Sequence, residues 1–156
     1  MSEELCLQMK YAPKSICYGC GPANPEGLHI SSFPQDDGSL IAEWQPDLKY
    51  QAFTGVLYGG LVCCLLDCHC NWVASWHLMQ QNGLDAPPCT VTAEHSVKFL
   101  RPTPTDKVIK MIGRVLDSKE DRATIAGELI AGDKVCATSK SLFVAVKEGH
   151  PAFHRW

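Results

Sequence analysis

The stretch YQAFTGVLYGGLVCCLLDCHCN, residues 50–71, decides how the chain is read. It opens as a turn-rich approach, passes through Gly59-Gly60, and becomes a dense apolar run broken by one carboxylate, Asp67. Paired glycines ahead of a periodic apolar run predict a loop feeding a helix N-terminus. There the first N–H groups lack intrahelical acceptors and project with the positive end of the macrodipole. At helical spacing Gly60, Cys63, Cys64, Asn71 and Ala74 share the azimuth of Asp67, and the remaining surface is almost wholly apolar. The expectation is a buried helix from residue 58 to about 81, stopped by Asn82-Gly83. A carboxylate inside such a helix either bonds a neighbouring backbone or serves as a proton acceptor.

On both sides of this helix the sequence reads as extended. Residues 28–33 and 39–44 flank the turn PQDDG and predict a first hairpin, and 46–57 reads as a loop. After Pro87-Pro88 come four runs, 90–100, 107–117, 123–131 and 134–146, joined by PTPTD, SKEDR and GD. Connectors this short make antiparallel neighbours. The order β-β-α-β-β-β-β predicts an α+β domain, an antiparallel sheet with one long buried helix. Residues 1–16 read as a short helix or ordered arm, and CYGCGPANPEG, 17–27, as a structured turn region.

Composition bounds what the domain can do. A chain of 156 residues is expected to be one domain: an arm and turn over 1–26, a core over 27–147 and a tail over 148–156. Fourteen basic against seventeen acidic residues leave −3 with no charge block, which argues against nucleic-acid partners. The longest apolar run is broken at Asp67 and followed by His69, Asn71 and His77, so no membrane-spanning helix is expected. Nine cysteines is an odd number, and the N-terminus MSEELCLQMK is charged and lacks an apolar core. The expected setting is the reducing cytoplasm.

Tyr58-Gly59-Gly60, six intervening residues and Asp67 resemble the His-Gly-Gly-x6-Asp signature of hotdog-fold thioesterases of the phenylacetate-pathway type. Tyr58 stands where those proteins carry His. The run Cys17 to Leu28 is similar to C-x-x-C-G-x-x-N-P-x-G-L, a recurring feature of the same subgroup. The resemblance implies a sheet wrapped around the central helix, in a homodimer or a dimer of dimers. It implies an acyl-CoA substrate hydrolysed to a carboxylic acid and free coenzyme A. Gly59 would offer its N–H to the thioester carbonyl, and Asp67 would act as nucleophile or general base across the dimer. With Arg101-Pro102 aligned to the family's similar strand end, Thr92 falls where related enzymes hold the attacking water. Tyr58, Gly60 and Asn71 are the expected substrate contacts, and Lys98 and Arg101 could meet a coenzyme A phosphate. The mechanism calls for neither metal nor organic cofactor; coenzyme A is part of the substrate.

Two other classes stay open. Tyrosine can donate a hydrogen bond or shape a pocket, but it is no base near neutral pH. Tyr58 therefore leaves room for a non-catalytic acyl-CoA or lipid binder. Cys17 and Cys20 have the spacing of half a zinc site or of a redox pair, but the sequence holds no second C-x-x-C or H-x-x-x-H knuckle. Of Cys63, Cys64, Cys68, His69 and Cys70, only Cys64 and Cys68 are four apart, and these cysteines read as small buried fillers. No metal is expected. By strand alternation Thr92, Glu94, Ser96 and Lys98 share one face, with Val91, Ala93, His95, Val97 and Phe99 on the other. His95 is the histidine nearest the site in sequence. Phe53, Trp72, Trp76 and Phe99 could line a roomy pocket or simply fill the core.

Overall fold

The computed structural model describes residues 4–154. A short helix α1 (Leu7–Tyr11) precedes β1 (Phe33–Pro34) and β2 (Leu40–Trp44). A 3-10 turn (Leu48–Tyr50) and a small ribbon of β3 (Gln51–Phe53) and β4 (Val56–Leu57) lead into the long helix α2 (Gly59–Gln81). Four long strands follow: β5 (Thr90–Phe99), β6 (Ile109–Ser118), β7 (Arg122–Ala131) and β8 (Lys134–Ala145). They form one antiparallel sheet in the order β1-β2-β6-β7-β8-β5, and α2 packs against its four long strands. The strand that follows α2, β5, is a sheet edge; among the described residues β8 alone pairs with it.

The helix begins and ends where its sequence signals place it. Tyr58 is the N-cap, its carbonyl accepting from Leu61 N at 3.0 Å and Val62 N at 3.2 Å. Asn82 is the C-cap, and Gly83 turns the chain away with φ +63°. Leu61, Val62, Leu65, Leu66, Cys70, Trp72, Val73, Leu78 and Met79 are all buried. They meet Ile109 and Met111 of β6, Ile125 and Leu129 of β7 and Phe143 of β8. Burial this complete removes several side chains from water at about 1.5–3 kcal/mol each, enough to hold a helix of weak amphipathic pattern.

A saddle of two glycines lets the helix come close. Gly113 and Gly127 are directly opposite on β6 and β7. A Cβ at Gly113 would lie 2.4 Å from Val73 Cγ2, and one at Gly127 would lie 2.7 Å from Cys70 Sγ. Side chains at this pair would push α2 off the sheet.

Five sequence expectations need correction. The PTPTD link does not make β5 and β6 neighbours: β5 pairs with β8 and β6 with β2 and β7, because residues 100–108 bond to the β3–β4 ribbon instead of closing a tight turn (Leu57 N to Thr103 O, Thr105 N to Gly55 O). The first hairpin strand is only Phe33–Pro34, because residues 28–32 bond to the N-terminal turn and α1 instead: Leu28 N to Tyr18 O, Ile30 N to Gly19 O, Ser32 O from Leu7 N. The supposed loop 46–57 contains the 3-10 turn and the β3–β4 ribbon. The long strands stop or start up to two residues from the expected bounds. Finally, the uniform alternation expected for residues 91–99 is broken by a bulge: Thr92 opposes Phe143 and Glu94 opposes Leu142, so Ala93 is the extra residue.

Candidate active site

The bulge decides what β5 offers to the helix. Thr90 and Thr92 face α2 before it, and His95 faces α2 after it. Thr92 and His95 thus share the helix side, whereas unbroken alternation would oppose them. Thr92 Oγ1 donates to Asp67 Oδ1 at 2.7 Å. Asp67 is half-buried rather than sealed in the core, and Oδ2 has no hydrogen-bond partner among the described residues. A carboxylate held through one oxygen keeps the other for a proton donor such as water.

The side chains on either side of Asp67 are committed to scaffolding. Asn71, one turn on, clasps Thr90: Thr90 Oγ1 donates to Asn71 Oδ1, and Asn71 Nδ2 donates to the Thr90 carbonyl. His95 lies 2.6 Å from Ser141 Oγ through Nδ1 and 3.0 Å from the Cys63 carbonyl through Nε2. A carbonyl can only accept, so Nε2 carries the proton and Nδ1 accepts from Ser141. His95 is therefore a strut between β5 and α2, with neither nitrogen directed at Asp67. His69 is built the same way. Nε2 donates to Leu40 O at 3.1 Å, and Nδ1 accepts from Ser32 Oγ at 2.8 Å. The Ser32 hydroxyl in turn accepts from Gln8 Nε2 at 3.0 Å. Full burial lowers the His69 pKa to about 4, against the bond to Leu40 O, which raises it.

Gly59 and Gly60 open α2 between two grooves. One, of about 410 Å³, is walled by Phe53, Val62, Phe99, Arg101 and Gly59. The other, of about 420 Å³, is walled by Tyr18, Tyr50, Tyr58, Gly60 and Cys64. A Cβ on Gly59 would rest 3.5 Å from the Phe99 ring, an ordinary contact, so glycine here relieves no clash. Tyr58 is 59% exposed, and its hydroxyl caps no helix N–H.

The expected site residues thus fall into three places. Asp67, Thr92 and Asn71 meet where mid-α2 faces β5; Gly59, Gly60, Tyr58 and Arg101 gather at the N-terminus of α2. Lys98 lies on the outer face of the sheet, beside Glu94, Ser96, Thr138 and Lys140. Of the four aromatics, Phe53 and Phe99 line the first groove. Trp72 is buried, and Trp76 packs against Tyr11, ring centroids 6.2 Å apart.

One cluster lay beyond the reach of sequence reading. The turn carrying Cys17 and Cys20 folds onto α2 at Cys64 and Cys68, the residues flanking Asp67. Cys17 Sγ is 3.8 Å from Cys68 Sγ, and Trp72 Nε1 donates to Cys20 Sγ at 3.3 Å. Hydrogen bonds from Cys20 and then Cys68 hold the Cys17 thiol far below its usual range, at about 2; Cys20, bonded to it, is pushed up to about 12. The half-site spacing of Cys17 and Cys20 and the i,i+4 pair Cys64 and Cys68 were the advance signals, and nothing local said that the two would meet.

By sequence the chain matches no family profile and no curated protein. Solved structures match it closely in shape. A thioesterase-superfamily protein from Shewanella loihica PV-4 superposes with a TM-score of 0.65 at 24% identity, over 81% of this chain and 98% of that one. The chain adopts the hotdog fold. A phenylacetic acid degradation-related protein from Ralstonia eutropha JMP134 superposes at 0.63 with 19% identity, over 76% of this hotdog chain and 86% of its own. A Bacillus halodurans protein solved with CoA superposes at 0.63 with 16% identity, over 78% and 76%. Among the described residues no helix is long and apolar enough to cross a membrane.

Proposed function

We propose that this protein hydrolyses an acyl-CoA thioester, with Asp67 as the catalytic carboxylate. The observation that carries the reading is the Asp67–Thr92 pair: one carboxylate oxygen fixed at 2.7 Å, the other open, beside the bulge that aims Thr92 at it. Asp67 Oδ2 takes a proton from water, the resulting hydroxide attacks the acyl carbon, and the C–S bond breaks to release coenzyme A. The Thr92 hydroxyl positions the carboxylate. The Gly59 N–H, at the positive end of α2, receives the oxyanion. Arg101, at the mouth of the same groove, meets a phosphate of coenzyme A, and Tyr58 and Gly60 border the opening. A thioesterase-superfamily structure and a CoA-bound structure of the same fold support the substrate class.

Geometry also argues for two chains in one site. Gly59 and Asp67 are eight residues apart on one helix, about 12 Å along its axis. One carbonyl group reached by both a donor and a water-linked base needs them within about 6 Å. The Gly59 of one protomer therefore works with the Asp67 of another, and the protein acts as a homodimer or a dimer of dimers. The free edge of β5, beside Thr92, is the surface through which two copies would join. Nine free thiols fit a reducing compartment, the cytoplasm.

The test is a panel of short, medium, long and aryl acyl-CoAs, with wild type and Asp67→Asn in parallel and free coenzyme A read by chromatography. About a thousandfold loss of kcat in a folded Asp67→Asn protein is expected. Acyl-CoA binding without turnover, equal in the two proteins, would sink the hydrolase in favour of the binder that Tyr58 leaves open.

A further inference from the structure

We infer that Cys17, Cys20, Cys64 and Cys68 form a structural zinc site that staples the N-terminal turn to α2. Three observations converge. First, the Sγ atoms of Cys17, Cys20 and Cys68 all lie within 4.8 Å of one another. Zinc–sulfur bonds of about 2.3 Å place tetrahedral sulfurs about 3.8 Å apart. The Cys17–Cys68 separation is 3.8 Å. Three thiols drawn from two distant segments have thus converged to within 4.8 Å, one pair of them at the spacing that a single ion requires.

Second, the turn is built to hold thiolates. Gly21 N returns to Cys17 O at 2.8 Å, closing a C-x-x-C-G turn. The Trp72 indole N–H donates to Cys20 Sγ at 3.3 Å. This is the kind of outer donor that a tetrathiolate site needs, since four thiolates around Zn²⁺ leave a net charge of −2. Side chains are kept out of the way: a Cβ on Gly19 would lie 2.2 Å from Cys68 Sγ, and one on Gly21 would lie 2.4 Å from Cys17 N.

Third, a fourth thiol stands beside the triad on the helix. Cys64 is one turn before Cys68, and i,i+4 positions have Cβ atoms about 5–6 Å apart. The Cβ position of Gly19 touches both thiols, lying 2.2 Å from Cys68 Sγ and 3.8 Å from Cys64 Sγ. Cys64 Sγ lies outside the 4.8 Å triad; turning the half-buried side chain about χ1 is the movement that completes the tetrahedron. Binding releases the remaining thiol protons to solvent, and no electron changes hands. The ion would clip a loop spanning 51 residues, Cys17 to Cys68, and fix α2 beside Asp67 without touching it.

The deciding measurement is metal content of the full chain purified under reducing conditions, before and after incubation with Zn²⁺ and dialysis. About one zinc per chain is expected. Cys17→Ser and Cys68→Ser should each weaken zinc binding by at least about a hundredfold, while Cys89→Ser should not. Cobalt in place of zinc should give thiolate-to-metal charge-transfer bands that weaken in Cys64→Ser. Cys17 is exposed, so its serine variant tests the site without threatening the core. Wild type that retains no zinc overturns the inference, as does zinc held equally by Cys17→Ser. A cobalt spectrum unchanged in Cys64→Ser overturns the four-thiolate set. Metal-free protein with a Cys17–Cys20 or Cys17–Cys68 disulfide would show a redox pair instead.

Discussion

Strands β7 and β5 lie in the same sheet with the same length, yet their surroundings differ. Every second residue of β7 is buried, from Ala123 through Ile125, Gly127 and Leu129 to Ala131, under α2 and between two hydrogen-bonded neighbours. In β5 only Thr90 is buried, Phe99 is 56% exposed, and one edge has no neighbouring strand. The bulge that lies between Thr92 and His95 sits in β5. The contrast teaches that β7 belongs to the fold and β5 to the site. The central strand β7 carries no extra residue of its own, the register shifts beside it falling at Leu116 of β6 and Cys136 of β8, while the edge strand accommodates the extra Ala93 next to Thr92.

The largest expected effect strikes the exposed strand. Phe99→Glu should leave the chain folded by circular dichroism yet weaken self-association by more than about a thousandfold in sedimentation experiments. Hydrolysis should be lost with it. A wild type that sediments as a monomer at every concentration would break the comparison, since β5 would then be ordinary surface. In β7 the burden is on stability: Ile125→Ala should cost about 2–5 kcal/mol in chemical denaturation, whereas Leu116→Ala at the exposed end of β6 should stay within about 0.5 kcal/mol.

The buried His69 gives a pH signature. Its folded pKa of about 4 lies below its ordinary 6.5, so between these values the unfolded chain holds the extra proton. Stability is intact above pH 6.5 and falls with pH through this window by about 1.4 kcal/mol per unit. Denaturation midpoints followed from pH 7 to 5 should show that slope, and His69→Gln should flatten it. Thr92→Val should lower kcat about tenfold, because it frees the carboxylate from its tether without removing it. Smallest of all, Lys98→Ala should change KM less than about twofold, because Lys98 lies on the outer face of the sheet. A larger change would bring that face into the site through the partner chain.

Sequence and structure agree where the governing interactions are local. Gly59-Gly60 and Asn82-Gly83 bound α2 because backbone freedom at a helix end is a property of a few neighbouring residues. The GD and SKEDR connectors made antiparallel hairpins because so few residues return the chain beside itself, whereas PTPTD lies within a longer link, residues 100–108, that leaves β5 and β6 apart. The faces of β5 could not be read this way. Period-two alternation is a local rule, but the Ala93 bulge is set by how β5 pairs with β8, some fifty residues later.

By itself, then, the sequence determined the α+β element order, the helix carrying Asp67, and the spacing from Gly59 that marks the candidate site. Only the tertiary structure decided that Thr92 meets Asp67, that Asn71 and His95 serve as struts, and that Lys98 lies on the outer face. It also decided that Cys17 and Cys20 find Cys64 and Cys68. Local propensity acts within a turn or two of chain, while a site is closed by contacts between residues tens of positions apart. Those contacts follow from the packing of α2 on the sheet, and no short window of sequence contains it.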